Sequence, residues 1–150
     1  MPKLRHIALA AEDPFAAAEF YKQAFDFTEV SRIEKSDDPK KSYGVFLSDG
    51  TLNLAILHFG WDQGPGLDFR GIHHFGVLVE DVDEATDKLE QLGAKCVAKR
   101  PEGKQGFYET KFHGPDKVLF DITDHPWKGA APLEPGDMRA ETRSLEKIPQ

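Results

Sequence analysis

The chain has 150 residues, of which 39% are hydrophobic and 30% charged, and a formal net charge of -7. That length suits one domain or two small units sharing a core, and the acidic balance excludes a polyanionic partner such as nucleic acid, which needs clustered Lys and Arg. No apolar run reaches membrane-spanning length, no signal-peptide core follows Met1, and the lone Cys96 rules out an intrachain disulfide, all of which predicts a cytoplasmic protein with a buried free thiol.

Leu4 to Ala11 alternates, with Ile7 and Leu9 on one face and His6, Ala8 and Ala10 on the other. Asp13-Pro14 opens a helix that runs to about Phe25, with Ala17, Phe20, Tyr21 and Ala24 as its apolar stripe. Strands follow over Thr28–Lys35, Tyr43–Leu47 and Leu52–Phe59, separated by a polar loop and the Ser48-Asp49-Gly50 turn. Gly60 to Arg70 is a linker, or a loop that covers a pocket with Trp61.

The order then repeats. A strand over Ile72–Glu80 leads to Asp81, a helix N-cap with Glu84 placed for a capping box. The helix spans Val82 to Leu92, with Val82, Ala85, Leu89 and Leu92 inward, and stops at Gly93. Strands are predicted over Lys95–Lys99, Gln105–His113 and Lys117–Asp124, with a Gly114-Pro115-Asp116 turn. His125 to Gln150 reads as an irregular tail whose last dozen residues are frayed helix or disordered, with Pro126-Trp127 able to fold back over the body.

At their start the two halves align without a gap. His6 matches His74, Ile7 and Leu9 match Phe75 and Val77, Glu12-Asp13 matches Glu80-Asp81, and Gln23 matches Gln91. Several matches in register, with the same element order, indicate an internal duplication. The fold expected is α+β, two tandem βαβββ modules in a curved mixed sheet around a metal cleft. Module one covers residues 4–59, the linker 60–70, module two 71–124 and the tail 125–150.

A twofold axis between the modules brings His6 and His74 together, and their small neighbours Ala8 and Gly76 leave room for a cavity. Asp121 sits inside the apolar strand Val118–Thr123, where a carboxylate needs a partner. Two imidazoles and one acid around a divalent cation supply it, with open positions for substrate or dioxygen. His73 is expected to face away from this site. Glu109, Tyr108 and His58 are candidate general bases by proximity in sequence, and Tyr43, Phe46, Phe107 and Trp127 are candidate pocket walls.

Arg5-His6-Ile7-Ala8-Leu9, His73-His74-Phe75-Gly76-Val77 and the run from Gly114 to Ile122 resemble the vicinal oxygen chelate superfamily. That superfamily contains glyoxalase I, methylmalonyl-CoA epimerase, extradiol dioxygenases and the fosfomycin and bleomycin resistance proteins. The resemblance implies His6, His74 and Asp121 as metal ligands, and one bound divalent ion (Fe, Mn, Zn, Ni or Co). It also implies a small-molecule substrate and a homodimer. The family's fourth ligand position falls on Asn53 or Ala55, neither a carboxylate, and with Tyr108 these are candidate substrate-pocket residues. Lys111 stands where extradiol enzymes carry a Tyr. Because the fourth position holds no acid, the reading leans to a three-ligand non-haem dioxygenase. A glyoxalase- or epimerase-like isomerase or lyase is the alternative, and a metal-free drug-binding protein the alternative from another class.

Overall fold

The computed structural model describes residues 1–138, so the expectation for the last dozen residues lies outside the described residues. The elements are β1 (Lys3–Ala10), α1 (Pro14–Phe25), β2 (Thr28–Ile33), β3 (Tyr43–Ser48), β4 (Asn53–His58), β5 (Gly71–Leu78), α2 (Val82–Gln91), β6 (Lys95–Ala98), β7 (Thr110–His113) and β8 (Leu119–Thr123). Both helices start where the sequence asks. The Asp13 carboxylate accepts from the Ala16 N–H, and the Asp81 carboxylate from the Glu84 N–H. None of the described helices is long and apolar enough to cross a membrane.

The strands form one eight-stranded sheet in the order β2-β3-β4-β1-β5-β8-β7-β6. Each half contributes one parallel pair, β1 with β4 and β5 with β8. The halves meet where β1 runs antiparallel to β5, and Ile7 pairs with its own repeat equivalent Phe75. The pseudo-twofold axis therefore passes through that pair.

Alternation along the strands gives the sheet two faces. One carries Leu54, Ile56, Val45 and Leu47 and is covered by α1 through Ala18, Phe15, Ala17 and Tyr21. Its equivalent in the second half carries Val77, Phe112, Phe120 and Ile122 and is covered by α2 through Val82, Ala85 and Leu89. Of the expected inward stripe of α1, Ala17 and Tyr21 pack on the core while Phe20 and Ala24 are exposed, and Pro14 and Ala18 are the buried residues. Small Ala18 lets the helix lie close on the strands and turns Phe20 outward. Leu92, expected inward on α2, is also exposed. Cys96 is half-buried beside the second core, and burial raises its thiol pKa.

The largest departure is β7, which begins at Thr110 and not near Gln105. Gly103 and Gly106 take φ of +75° and +77°, a left-handed backbone that ends any extended run there. Tyr108 and Glu109 consequently sit on a loop.

A candidate metal-binding and acid-base centre

The other face of the sheet holds the polar residues. One row crosses six strands: Ser48, Asn53, His6, Gly76, Asp121 and Lys111 are successive register partners from β3 to β7. His74 joins from the adjacent row, opposite Ala8.

Two β-bulges aim the histidines. The β1–β5 register slips between Leu4 and His6 and again between Ala8 and Leu9, so the unpaired residues are Arg5 and His73. Each immediately precedes a site histidine. A bulge turns neighbouring side chains toward one side of the strand, and this corrects the expectation for His73. His73 does not face away. It is buried, and its Nδ1 lies 2.8 Å from Nδ1 of His74. Its ring stacks on Phe59 at 4.0 Å and meets Phe69 edge-on at 6.1 Å.

The structure brings His6, His74 and Asp121 together. One ligand atom of each lies within 4.8 Å of the other two. His6 Nε2 is 3.3 Å from His74 Nε2, and His74 Nε2 is 3.1 Å from Asp121 Oδ2. All three are buried, Asp121 completely. Nδ1 of each imidazole is anchored. Asn53 Nδ2 donates to the Lys128 carbonyl at 2.8 Å, which turns its Oδ1 to His6 Nδ1 at 2.8 Å. His6 therefore carries its proton on Nδ1 and keeps a lone pair on Nε2. Burial, then the neighbouring His74 and Lys111, push the His73 pKa down to about 4, so a neutral ring lies against His74 Nδ1. Burial also lowers the His6 pKa.

Asp121 already has a cation beside it. Lys111 Nζ lies 2.9 and 3.0 Å from its two oxygens, and 3.4 Å from Glu109 Oε2. Burial alone would raise the Asp121 pKa, but the His74 hydrogen bond and the His74 and Lys111 charges outweigh it and hold it low. Burial would lower Lys111, but the Asp121 and Glu109 charges outweigh it and hold the ammonium form. Contrary to expectation, buried Asp121 therefore has a partner without any metal: Lys111, one strand away.

The tail closes the site. Trp127 lies parallel to His6 at a centroid distance of 4.8 Å and donates from Nε1 to Glu109 Oε1 at 2.7 Å. It fills the room above Gly76, where an added Cβ would sit 2.5 Å from the indole. The segment then runs outward along the polar row. Lys128 O accepts from Asn53, Gly129 O from Ser48, Ala131 N–H donates to Thr51 O, and Ala131 O accepts from Arg5. This part of the tail has no helix or strand, as expected, yet it is bound along the sheet. The cavity expected beside Ala8 and Gly76 is thus occupied by an indole. The 60–70 loop meets both halves, with Gly60 against Lys40 and Gly64 against His113, but Gln63 is its buried side chain and Trp61 is exposed.

Among the candidate bases, Glu109 reaches the cluster and has its side chain 27% exposed. Tyr108 is half-buried beside it, and Phe107 meets Trp127 edge-on at 6.1 Å. His58 is on the wrong face. It alternates with Ala55 and Leu57, and its ring stacks on Tyr43, which stacks on Phe15 of α1. His58 and Tyr43 instead line a separate open cleft of about 570 Å³ with Glu12, Lys35, Asp38 and Lys41. Ala55 is fully buried on the site face, opposite Ala8 on β1 and Phe46 on β3.

Residues 3–122 match the Glyoxalase/Bleomycin resistance protein/Dioxygenase superfamily. An ethylmalonyl-CoA/methylmalonyl-CoA epimerase of Cereibacter sphaeroides is 30% identical over 102 residues, covering 63% of this chain and 74% of the relative. Among solved structures, a Streptomyces coelicolor methylmalonyl-CoA epimerase variant in complex with 2-nitronate-propionyl-CoA superposes with a TM-score of 0.63 at 20% identity. That alignment covers 80% of this chain and 94% of the other. The Mycobacterium tuberculosis methylmalonyl-CoA epimerase gives 0.61 at 20% identity, covering 83% and 87%. The duplicated sheet and the match along most of its length make one conclusion: the chain belongs to the Glyoxalase/Bleomycin resistance protein/Dioxygenase superfamily.

Proposed function

We propose that this chain is a metal-dependent enzyme of the isomerase or epimerase type, which moves a proton beside a carbonyl of a small oxygen-chelating metabolite. The first substrate class to try is a 2-substituted malonyl-CoA thioester, the class named for the Cereibacter relative. The observation that carries the reading is the convergence of two Nε2 atoms and a buried carboxylate next to the partly open Glu109.

The donor set suits a divalent cation. Two of its edges, 3.3 and 3.1 Å, are close to the roughly 3 Å between adjacent ligands around an ion with bonds of ~2.1 Å. His6, His74 and Asp121 would hold the ion, with Asn53 keeping His6 in the ligating tautomer and His73 fixing the orientation of the His74 ring. A bound divalent ion supplies Lewis acidity to oxygens that gain negative charge during proton removal. Glu109 is the acid-base residue. Its carboxylate is oriented by Trp127 Nε1 and Lys111 Nζ and stands where the cluster meets solvent. Trp127 and the bound tail exclude water from the histidine side.

The test is exchange of the α-proton of a malonyl-CoA thioester with deuterated solvent, followed by NMR. Protein loaded with Co(II) or another divalent ion should catalyse it. Glu109→Gln should slow it by about 10²–10⁴-fold at unchanged metal content. Metal-loaded wild type without exchange on any such thioester removes the reading. A second reading, a three-ligand Fe(II) dioxygenase, is favoured by Ala55, which leaves the mirror position of Asp121 without a donor. Oxygen uptake by Fe(II)-loaded protein over a catechol panel separates the two.

A further inference from the structure

We infer that Lys111 is the resident counter-cation of the ligand carboxylate, and that a divalent metal binds only by displacing its ammonium from Asp121. The inference rests on the metal-binding reading above and goes past it.

The geometry is specific. Lys111 and Asp121 are register partners on β7 and β8, and the ammonium spans both carboxylate oxygens at 2.9 and 3.0 Å. The carboxylate is fully buried and Lys111 is 8% exposed, so solvent screens the pair only weakly. Asp121 Oδ2 contacts the ammonium and also stands 3.1 Å from His74 Nε2, on the edge a metal would occupy. A divalent ion there and an ammonium at 3.0 Å from the same oxygen repel each other in a poorly screened interior. The mirror position makes the point by contrast. Phe46 and Ala55 are the repeat equivalents of Lys111 and Asp121, and that module has neither charge.

Displacement also has a destination. Lys111 Nζ is already 3.4 Å from Glu109 Oε2, so a small swing moves it from the ligand to the acid-base residue. Lys111 is then a positioning residue with two settings: on Asp121 without metal, toward Glu109 with it.

The experiment compares wild type, Lys111→Met and Lys111→Arg, stripped of metal and titrated with Zn(II) and Co(II) by calorimetry. Lys111→Met should bind metal roughly tenfold tighter or more, because nothing competes for Asp121. Lys111→Arg should stay near wild type. Stripped Lys111→Met should melt below stripped wild type, and zinc should close that gap. Weaker binding by Lys111→Met makes Lys111 a support for the ligand and overturns the inference. Equal affinity in all three overturns it too while leaving metal binding intact; no metal on any of them ends both. Should Lys111→Met not fold, the wild type answers by NMR of its labelled lysine ammonium groups: the Lys111 signal moves on zinc addition, and an unmoved signal with zinc bound overturns the inference.

Discussion

The two halves of the sheet are built alike and charged differently. At mirror positions the first half has Ala55 beside Phe46, and the second has Asp121 beside Lys111. Both halves keep a histidine just after a bulge, but Asn53 anchors His6 and His73 anchors His74. The duplicated scaffold thus keeps the direction of the imidazoles and places the carboxylate and the ammonium in one half alone. A site on a twofold axis becomes one-sided, and a one-sided site can hold a substrate in one orientation.

Converting the second pair into the first tests this most severely. Asp121→Ala leaves the buried Lys111 ammonium with Glu109 as its anion at 3.4 Å and should cost up to about 3 kcal/mol in urea unfolding of stripped protein. Asp121→Ala combined with Lys111→Phe recreates the Ala55/Phe46 pair and should recover most of that loss. A double variant no more stable than the single one breaks the equivalence of the two pairs. The anchors come next. His73→Ala and Asn53→Ala should each weaken metal binding by roughly 10–100-fold, since each frees one ring to change tautomer and orientation. Loss in only one variant would show that the two anchors are not counterparts. The smallest effect lies outside the site, in the first half. Arg32, before Lys22, holds the Glu29 carboxyl at about 2 by hydrogen bonding. A depressed carboxyl stabilises the fold above its unfolded pKa and loses that contribution as pH falls from about 4.5 to 2. Glu29→Gln should therefore cost less than about 1 kcal/mol at neutral pH, because the pair is solvent-screened. The difference from wild type should fade in acid, as followed by thermal melts across pH.

Much of this arrangement was legible in the residues. Asp13-Pro14 and Asp81 announce the helix starts by their chemistry, and alternation of apolar and small residues marks the two faces of β1 and β5. The repeat predicts that His6 and His74 approach each other, since equivalent positions meet on a shared axis. What was not legible depends on register. No residue type announces the bulges before His6 and His74, so period-two alternation sent His73 to the wrong face. The sequence reading puts Glu109 on a strand because its strand Gln105–His113 runs through Gly106, whose left-handed backbone instead keeps this stretch a loop. Lys111 was noted only for the Tyr it replaces. Its importance appears when β7 and β8 pair, a contact of two residues ten apart that periodicity cannot supply. The tail was underestimated because its bonds to Arg5, Ser48 and Asn53 run through backbone carbonyls of residues 128–131, which carry no side-chain signal.

The indole of Trp127 faces His6 and bonds to Glu109, which gives the chain its own optical probe. Its emission arises in a shielded pocket, whereas Trp61 is 47% exposed and open to soluble quenchers such as iodide. With the Trp61 signal suppressed in this way, an open-shell ion held by His6 dims the remaining fluorescence, and a closed-shell ion leaves it bright. Occupancy at the centre of the molecule can thus be followed in a cuvette without a label.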